Sequence, residues 1–294
     1  MEFCPNFISI DDDPAAWAAA REAEGYPIVS VADHISDPQP HPHVWVTATT
    51  FALSTKKLRV MSAFSNNLFR SPVEFAHAAL ALQRDSGGRF EAGLGAGWAA
   101  REINGMGWEF PVPKDRAGRY IEAVQIAREL LHTGKCNFKG SYYEIDIPLI
   151  GPLVEPPLLV ASCAGPRVLK GVAPYVDKIE LMGFSMTAAP DDPTSVMNAL
   201  MSYTEDDLRQ RIDLARDVAP ETPLGFLALC GAGDDPALEA QSKGLGNSLF
   251  AKLVGPTEQV AETLHKLGDM GLDSVQIAPS TPDTLSNLAP LLNY

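Results

Sequence analysis

The chain is short of basic residues, cysteine and histidine, and it has no long apolar run. Lysine and arginine total 23 against 37 aspartates and glutamates, a formal net charge of -14. That balance repels phosphate backbones and anionic lipid surfaces at long range, so neither nucleic acid nor membrane is expected as a partner. No apolar stretch reaches the roughly 18 residues that span a bilayer. The start, Met1-Glu2-Phe3-Cys4-Pro5, has neither the basic nor the apolar block of a secretion signal, and a cytoplasmic location is the expectation. Cys4, Cys136, Cys163 and Cys230 stand singly. They have neither the paired spacing of a zinc site nor the density of a disulfide framework, and read as reduced thiols.

What is present is apolar material in a regular rhythm. The 294 residues are 46% hydrophobic, enough for a full core, and barrels of about 250 residues commonly form one domain. One domain over residues 1–294 is expected. Strands are read at Phe3–Ser9, Ile28–Ala32, Leu58–Phe64, Phe90–Leu94, Leu158–Ser162, Lys178–Met182, Leu224–Cys230 and Ser274–Ala278. Helices fall between them, at Pro14–Glu24, Val44–Leu53, Pro72–Gln83, about Arg116–Leu131, Glu205–Val218 and about Thr257–Gly268. Eight strands alternating with helices imply a parallel sheet with right-handed crossovers, which can close into a (β/α)8 or TIM barrel. An open doubly wound sheet is the competing arrangement. Asn137–Ile147 and Gly183–Tyr203 fit neither element and read as insertions that shape a pocket or lid.

In such a barrel the residues just past the strand ends converge on one mouth. These are Asp33 and His34, Asn66 and Asn67, Gly95, Ala96, Gly97 and Trp98, Cys163 to Arg167, Gly183 and Phe184, and Gly231. His34 is the leading catalytic candidate, because imidazole titrates near neutrality and can exchange a proton as a hydride moves nearby. Asp33 points to the other side of the strand end, where it can meet a cofactor ring. Gly93, Gly95 and Gly97 alternate after the Ser86-Gly87-Gly88 break and let another group approach the backbone. Gly95-Ala96-Gly97-Trp98-Ala99-Ala100 formally satisfies Gly-x-Gly-x-x-Ala, but Asp115, at the distance a dinucleotide site requires, is not on a strand tip. Gly165, Pro166, Arg167 and Val168 open a helix whose free N–H groups can cradle a phosphate. His41-Pro42-His43, with Asp33, His34 and Asp37, invites a metal reading; His77, His132 and His265 add no metal spacing, and no metal is expected. Trp45, Trp98, Trp108 and Phe184 are candidates for an apolar pocket wall, although helical spacing suits Trp45 to the core.

Several segments together resemble the bacterial-luciferase-like superfamily of flavin- and deazaflavin-dependent oxidoreductases. They are Ala32-Asp33-His34, Phe69-Arg70-Ser71-Pro72-Val73, Ser86 to Trp98, Phe138-Lys139-Gly140-Ser141-Tyr142-Tyr143, Ala164-Gly165-Pro166-Arg167 and Val254-Gly255-Pro256-Thr257-Glu258-Gln259-Val260. Members similar in these segments mostly use coenzyme F420, and fewer use FMN. The resemblance implies that His34 is the proton donor or acceptor and Asp33 meets the deazaflavin edge. It further implies that Asn66 and Asn67 lie at a backbone bulge supporting the ring, that Ala96 and Gly97 line the cofactor, and that Gly165 to Val168 hold its phosphate. Where alcohol- and sugar-phosphate-oxidising members carry a tryptophan and a glutamate, this chain has Pro38 and Trp98. Reduction of an activated C=C, C=N or C=O bond of a small molecule is therefore expected, in a protein that the family habit makes a homodimer. An FMN-dependent monooxygenase, a metal-dependent barrel hydrolase and a cofactor-binding protein without catalysis are the alternatives.

Overall fold

The structure is a computed structural model describing residues 1–36, 40–183 and 193–292. Eight strands form the barrel: β1 Glu2–Phe7, β2 Ile28–Val31, β3 Arg59–Ser62, β4 Phe90–Gly95, β5 Leu158–Cys163, β6 Lys178–Leu181, β7 Leu224–Ala232 and β8 Ser274–Pro279. Each pairs in parallel with the next, and β8 pairs with β1, so the sheet closes on itself. The open-sheet alternative is excluded by that closure, and all eight expected strands are present.

The helices that matter for the site are α1 Pro14–Ala23, α2 Val44–Ser54, α3 Pro72–Asp85, α4 Ala100–Gly105, α5 Pro113–Thr133, α6 Pro166–Val172, α7 Pro193–Ser202 and α8 Glu205–Val218. Their starts follow from local chemistry. Asp13 and Ser71 cap α1 and α3 by accepting from Ala16 N and Glu74 N, each before a proline whose missing N–H costs nothing there. Thr204 and Asp207 form a reciprocal capping box on α8. At the end of α3 the chain turns through Gly87 and Gly88, with φ of +69° and +86°, and enters β4. No helix among the described residues is long and apolar enough to cross a membrane.

Strand alternation divides the core in two. Outward side chains such as Phe90, Ala92 and Leu94 of β4 pack with the helices in the main apolar cluster. Inward positions carry a small cluster of Cys4, Ile28, Met61, Ala63 and Val160, and also polar groups. Asn6 Nδ2 donates to Ser30 Oγ at 3.1 Å, and Ser30 Oγ lies 3.2 Å from Gln276 Oε1. Near the amino ends of their strands, Arg59 pairs with Glu2 and Glu91, and Lys178 Nζ lies 3.8 Å from Glu180.

The Asn137–Ile147 insertion is an antiparallel hairpin, Cys136–Lys139 with Glu144–Ile147. Of the Gly183–Tyr203 insertion, the α7 segment is a helix. The Asp191-Asp192 pair, Phe184, Asp37 and Pro38 lie outside the described residues.

Candidate functional site

The ladder between β3 and β4 breaks just before the mouth. Ser62 Oγ takes its place, donating to Gly93 O at 2.9 Å and accepting from Gly93 N at 3.0 Å. Pairing resumes where Ser65–Asn66 meets Leu94–Gly95. The intervening peptide Ala63–Phe64 is cis, and Asn66 and Asn67 follow at once. Glycine is required across this break. A methyl group on Gly95 would stand 2.9 Å from Phe64 and 3.3 Å from Ser162, and one on Gly97, which has φ of +76°, would stand 2.4 Å from Asn66 Oδ1.

Asp33 and His34 diverge at the end of β2, as alternation requires. Asp33 is buried; its Oδ2 accepts from Asn66 N at 2.7 Å and pairs with Arg70 Nη1, while Arg70 Nη2 lies 3.4 Å from Oδ1. Arg70 also reaches Glu74 at 3.4 Å. The carboxylate of Asp33 is thus engaged by a guanidinium and a backbone N–H, chiefly through Oδ2. That engagement gives Asp33 the work of fixing the bulge that carries Asn66.

His34 faces α4. Its Nδ1 lies 2.8 Å from Glu102 Oε2, and the other carboxylate oxygen accepts from Ile35 N and from Ser36 N at 2.8 Å. The Trp98 ring meets the imidazole edge-on at 5.3 Å, and His41 lies at 5.2 Å. Burial alone would raise the pKa of Glu102. The bond from His34 and the backbone N–H groups of Ser36 and Ile35 favour the charged form more, and the net shift is downward. An ionised Glu102 fixes both the ring orientation and the loop after β2. Sequence reading missed Glu102. The available signal was a glutamate in the first turn of the helix after the glycine run, one helical turn beyond Trp98.

The second group of candidates sits past the neighbouring strand, β5. Gly165 is the N-cap of α6 with no side-chain cap, Pro166 is its first residue, and Val168 packs inward on the core. A methyl on Gly165 would meet nothing within 4 Å. It borders a cavity of about 490 Å3 whose lining includes Cys163, Gly183, Tyr203 and Arg211. Arg167 is exposed and donates to Lys114 O at 3.1 Å, tying α6 to α5. Arg211 Nη1 donates to Ala164 O.

Other candidates are placed elsewhere. Trp45 packs behind the barrel wall against Phe75 at 6.0 Å and Phe90 at 5.8 Å, and Trp108 is exposed. Asp115 is in the first turn of α5 and accepts from Tyr142 Oη at 2.8 Å, so the dinucleotide pattern has no acidic strand tip. No group of three metal-ligating side chains comes together among the described residues.

Comparison with known proteins gives a concordant result. The model of the luciferase-like monooxygenase family matches residues 12–206. An F420-dependent glucose-6-phosphate dehydrogenase of Amycolatopsis mediterranei is 31% identical over 166 residues, 54% of this chain and 49% of that protein. The pyrimidine monooxygenase RutA of Klebsiella pneumoniae is 34% identical over 117 residues, covering 39% and 31%. The chain thus spans about half the length of the curated dehydrogenase and less of the monooxygenase. Among solved structures, an F420-dependent secondary alcohol dehydrogenase in complex with an F420-acetone adduct superposes with a TM-score of 0.73 at 17% identity, over 100% of this chain and 99% of that one.

Proposed function

The chain belongs to the luciferase-like monooxygenase family, and from that premise we propose that it is an F420-dependent oxidoreductase in which His34 exchanges the proton that accompanies hydride transfer. The observation that carries this reading is the 2.8 Å contact between His34 Nδ1 and a carboxylate of Glu102 that is itself pinned by two backbone N–H groups. Relatives and fold neighbours named for F420 support the choice of cofactor.

The residues present suit a tricyclic ring and an anionic tail. The mouth beside β3 and β4 offers a glycine-bounded bulge and a buried amide donor, Asn67 Nδ2, without a partner among the described residues. Gly165, with open space above it and an uncapped helix start behind it, suits the tail. When bound, a reduced deazaflavin supplies a hydride.

The chain's own residues do the rest. Glu102 holds Nδ1 of His34, which leaves Nε2 to give a proton to the atom opposite the site of hydride addition. Trp98 packs against the imidazole ring at 5.3 Å and helps fix its orientation. One such group suffices for reduction of an activated C=C, C=N or C=O bond. Oxygenation with FMN is the second reading, favoured by the resemblance to the pyrimidine monooxygenase.

Side-by-side fluorescence titration with F420 and FMN tests the assignment. The expected result is binding of F420 in preference to FMN. His34→Ala is expected to keep that binding while reoxidation of reduced F420 by a panel of activated alkenes and carbonyls falls by about 100-fold or more. Preference for FMN establishes the second reading, and binding of neither overturns both.

A further inference from the structure

The hairpin outside the barrel sends one side chain to the mouth. Its turn is clamped by Glu122 of α5, whose Oε1 accepts from Ser141 N at 2.7 Å and whose Oε2 accepts from Tyr142 N at 2.9 Å and Tyr143 N at 3.1 Å. Gly118 makes room for the packing, since a methyl there would lie 2.5 Å from the Tyr142 ring. Held this way, Tyr143 places its hydroxyl 3.2 Å from Asn67 Oδ1. The Arg119 guanidinium lies over the Tyr143 ring, 5.0 Å from its centroid. An amide carbonyl oxygen can only accept, so the Tyr143 hydroxyl donates its proton to Asn67 Oδ1.

Asn67 is only 2% exposed, and its backbone N–H bonds Gly95 O at 3.0 Å. With the backbone fixed and Oδ1 engaged, the planar amide has one orientation, and Nδ2 is left buried without a partner among the described residues. An unpaired buried donor is costly, and one that sits at the barrel mouth is placed where a bound ligand would pair it. We propose that Tyr143 is a positioning residue that holds the Asn67 amide so that Nδ2 stays poised for an acceptor atom of the molecule bound at the barrel mouth. The inference rests on the functional reading only for the identity of that molecule, the deazaflavin ring. It makes the hairpin a part of the site that reaches it from outside the barrel.

The experiment combines two readouts on the full chain: the side-chain amide signals of Asn67 in a 15N correlation spectrum, assigned by their loss in Asn67→Ser, and the Kd for F420. Tyr143→Phe is expected to shift the Asn67 amide pair and speed its exchange with water, and to weaken F420 binding by about fivefold to tenfold. Tyr142→Phe, which removes the hairpin's other hydroxyl anchor, on Asp115 at 2.8 Å, is expected to change neither. Unchanged Asn67 signals in Tyr143→Phe, or equal shifts in both variants, would overturn the proposal, because the hydroxyl would then only anchor the hairpin. Failure of the unmodified protein to bind F420 would overturn the functional reading, and the amide signals would still decide the role of Tyr143.

Discussion

Glu102, beyond the carboxyl ends of the strands, and Glu180, inside the barrel near their amino ends, are both almost fully removed from solvent, yet their acidities move in opposite directions. Glu180 is pushed up by burial, which Lys178 Nζ at 3.8 Å offsets only in part. Glu91, facing the same interior, is raised for the same reason against the pull of Lys178 and Arg59. At Glu102 burial is outweighed by His34 and by the N–H groups of Ser36 and Ile35. The lesson is that low solvent exposure alone does not decide which carboxylate keeps its charge: close donors to the charged form must be weighed against the depth of burial. At the mouth that charge is held ready to serve a histidine. In the interior the same residue type is shifted toward the neutral form by burial.

The sharpest way to break this contrast is at Glu102. In Glu102→Gln the remaining carbonyl oxygen can accept from Ile35 and Ser36, but the new NH2 faces His34 Nδ1 and forces it to become an acceptor. Turnover of reduced F420 is expected to fall by about 100-fold, with a flattened pH profile, while cofactor Kd stays near that of the unmodified protein. An unchanged pH profile would remove Glu102 from the proton path. Next in size is the other mouth pair. Arg70→Ala leaves the buried Asp33 with Asn66 N–H alone, and a loss of about 3–5 kcal/mol in denaturant unfolding is expected; Arg70→Ala with Asp33→Asn should recover much of it, because no buried charge then remains.

The smallest effect belongs to the interior and has the opposite sign. A carboxyl whose native pKa is raised binds its proton more tightly when folded, so its contribution is present at low pH and is lost as pH rises from the ordinary carboxylate range through the native value. Glu180→Gln removes that loss. The variant's melting temperature is expected to gain on the unmodified protein between pH 5 and pH 8, measured by calorimetry, whereas Glu102, held low, gives stability that falls away only as pH drops. A difference between Glu180→Gln and the unmodified protein that shrinks with rising pH would reverse the assignment.

The barrel was legible because its strands are short apolar runs between strong punctuation, such as Ser86-Gly87-Gly88 before Phe90 and Asp13-Pro14 at α1. The strand-end rule also singled out Asp33, His34, Asn66, Asn67 and Gly97. Their partners were not legible. Arg70 belongs to the Phe69-Arg70-Ser71-Pro72-Val73 segment, but its contact with Asp33 is made across the gap between two strand ends, which no local pattern encodes. Glu102 reaches His34 only because α4 turns back over the loop after β2. Tyr143 reaches Asn67 from a hairpin 76 residues further along the chain. The interior charges left a faint trace, since Glu91, Lys178 and Glu180 interrupt otherwise apolar strands. In strands buried on both faces, however, sequence alone does not say which face lines the barrel.

Gly93 sets a limit on how this protein can change. A methyl group there would fall 1.9 Å from Ser62 O, in the gap where a serine side chain replaces the ladder between β3 and β4. For anyone diversifying the mouth to accept new substrates, Gly93 is a fixed point. Libraries that spare it and vary the loop residues above the strand ends would sample new pocket shapes without unlocking the seam on which the bulge is built.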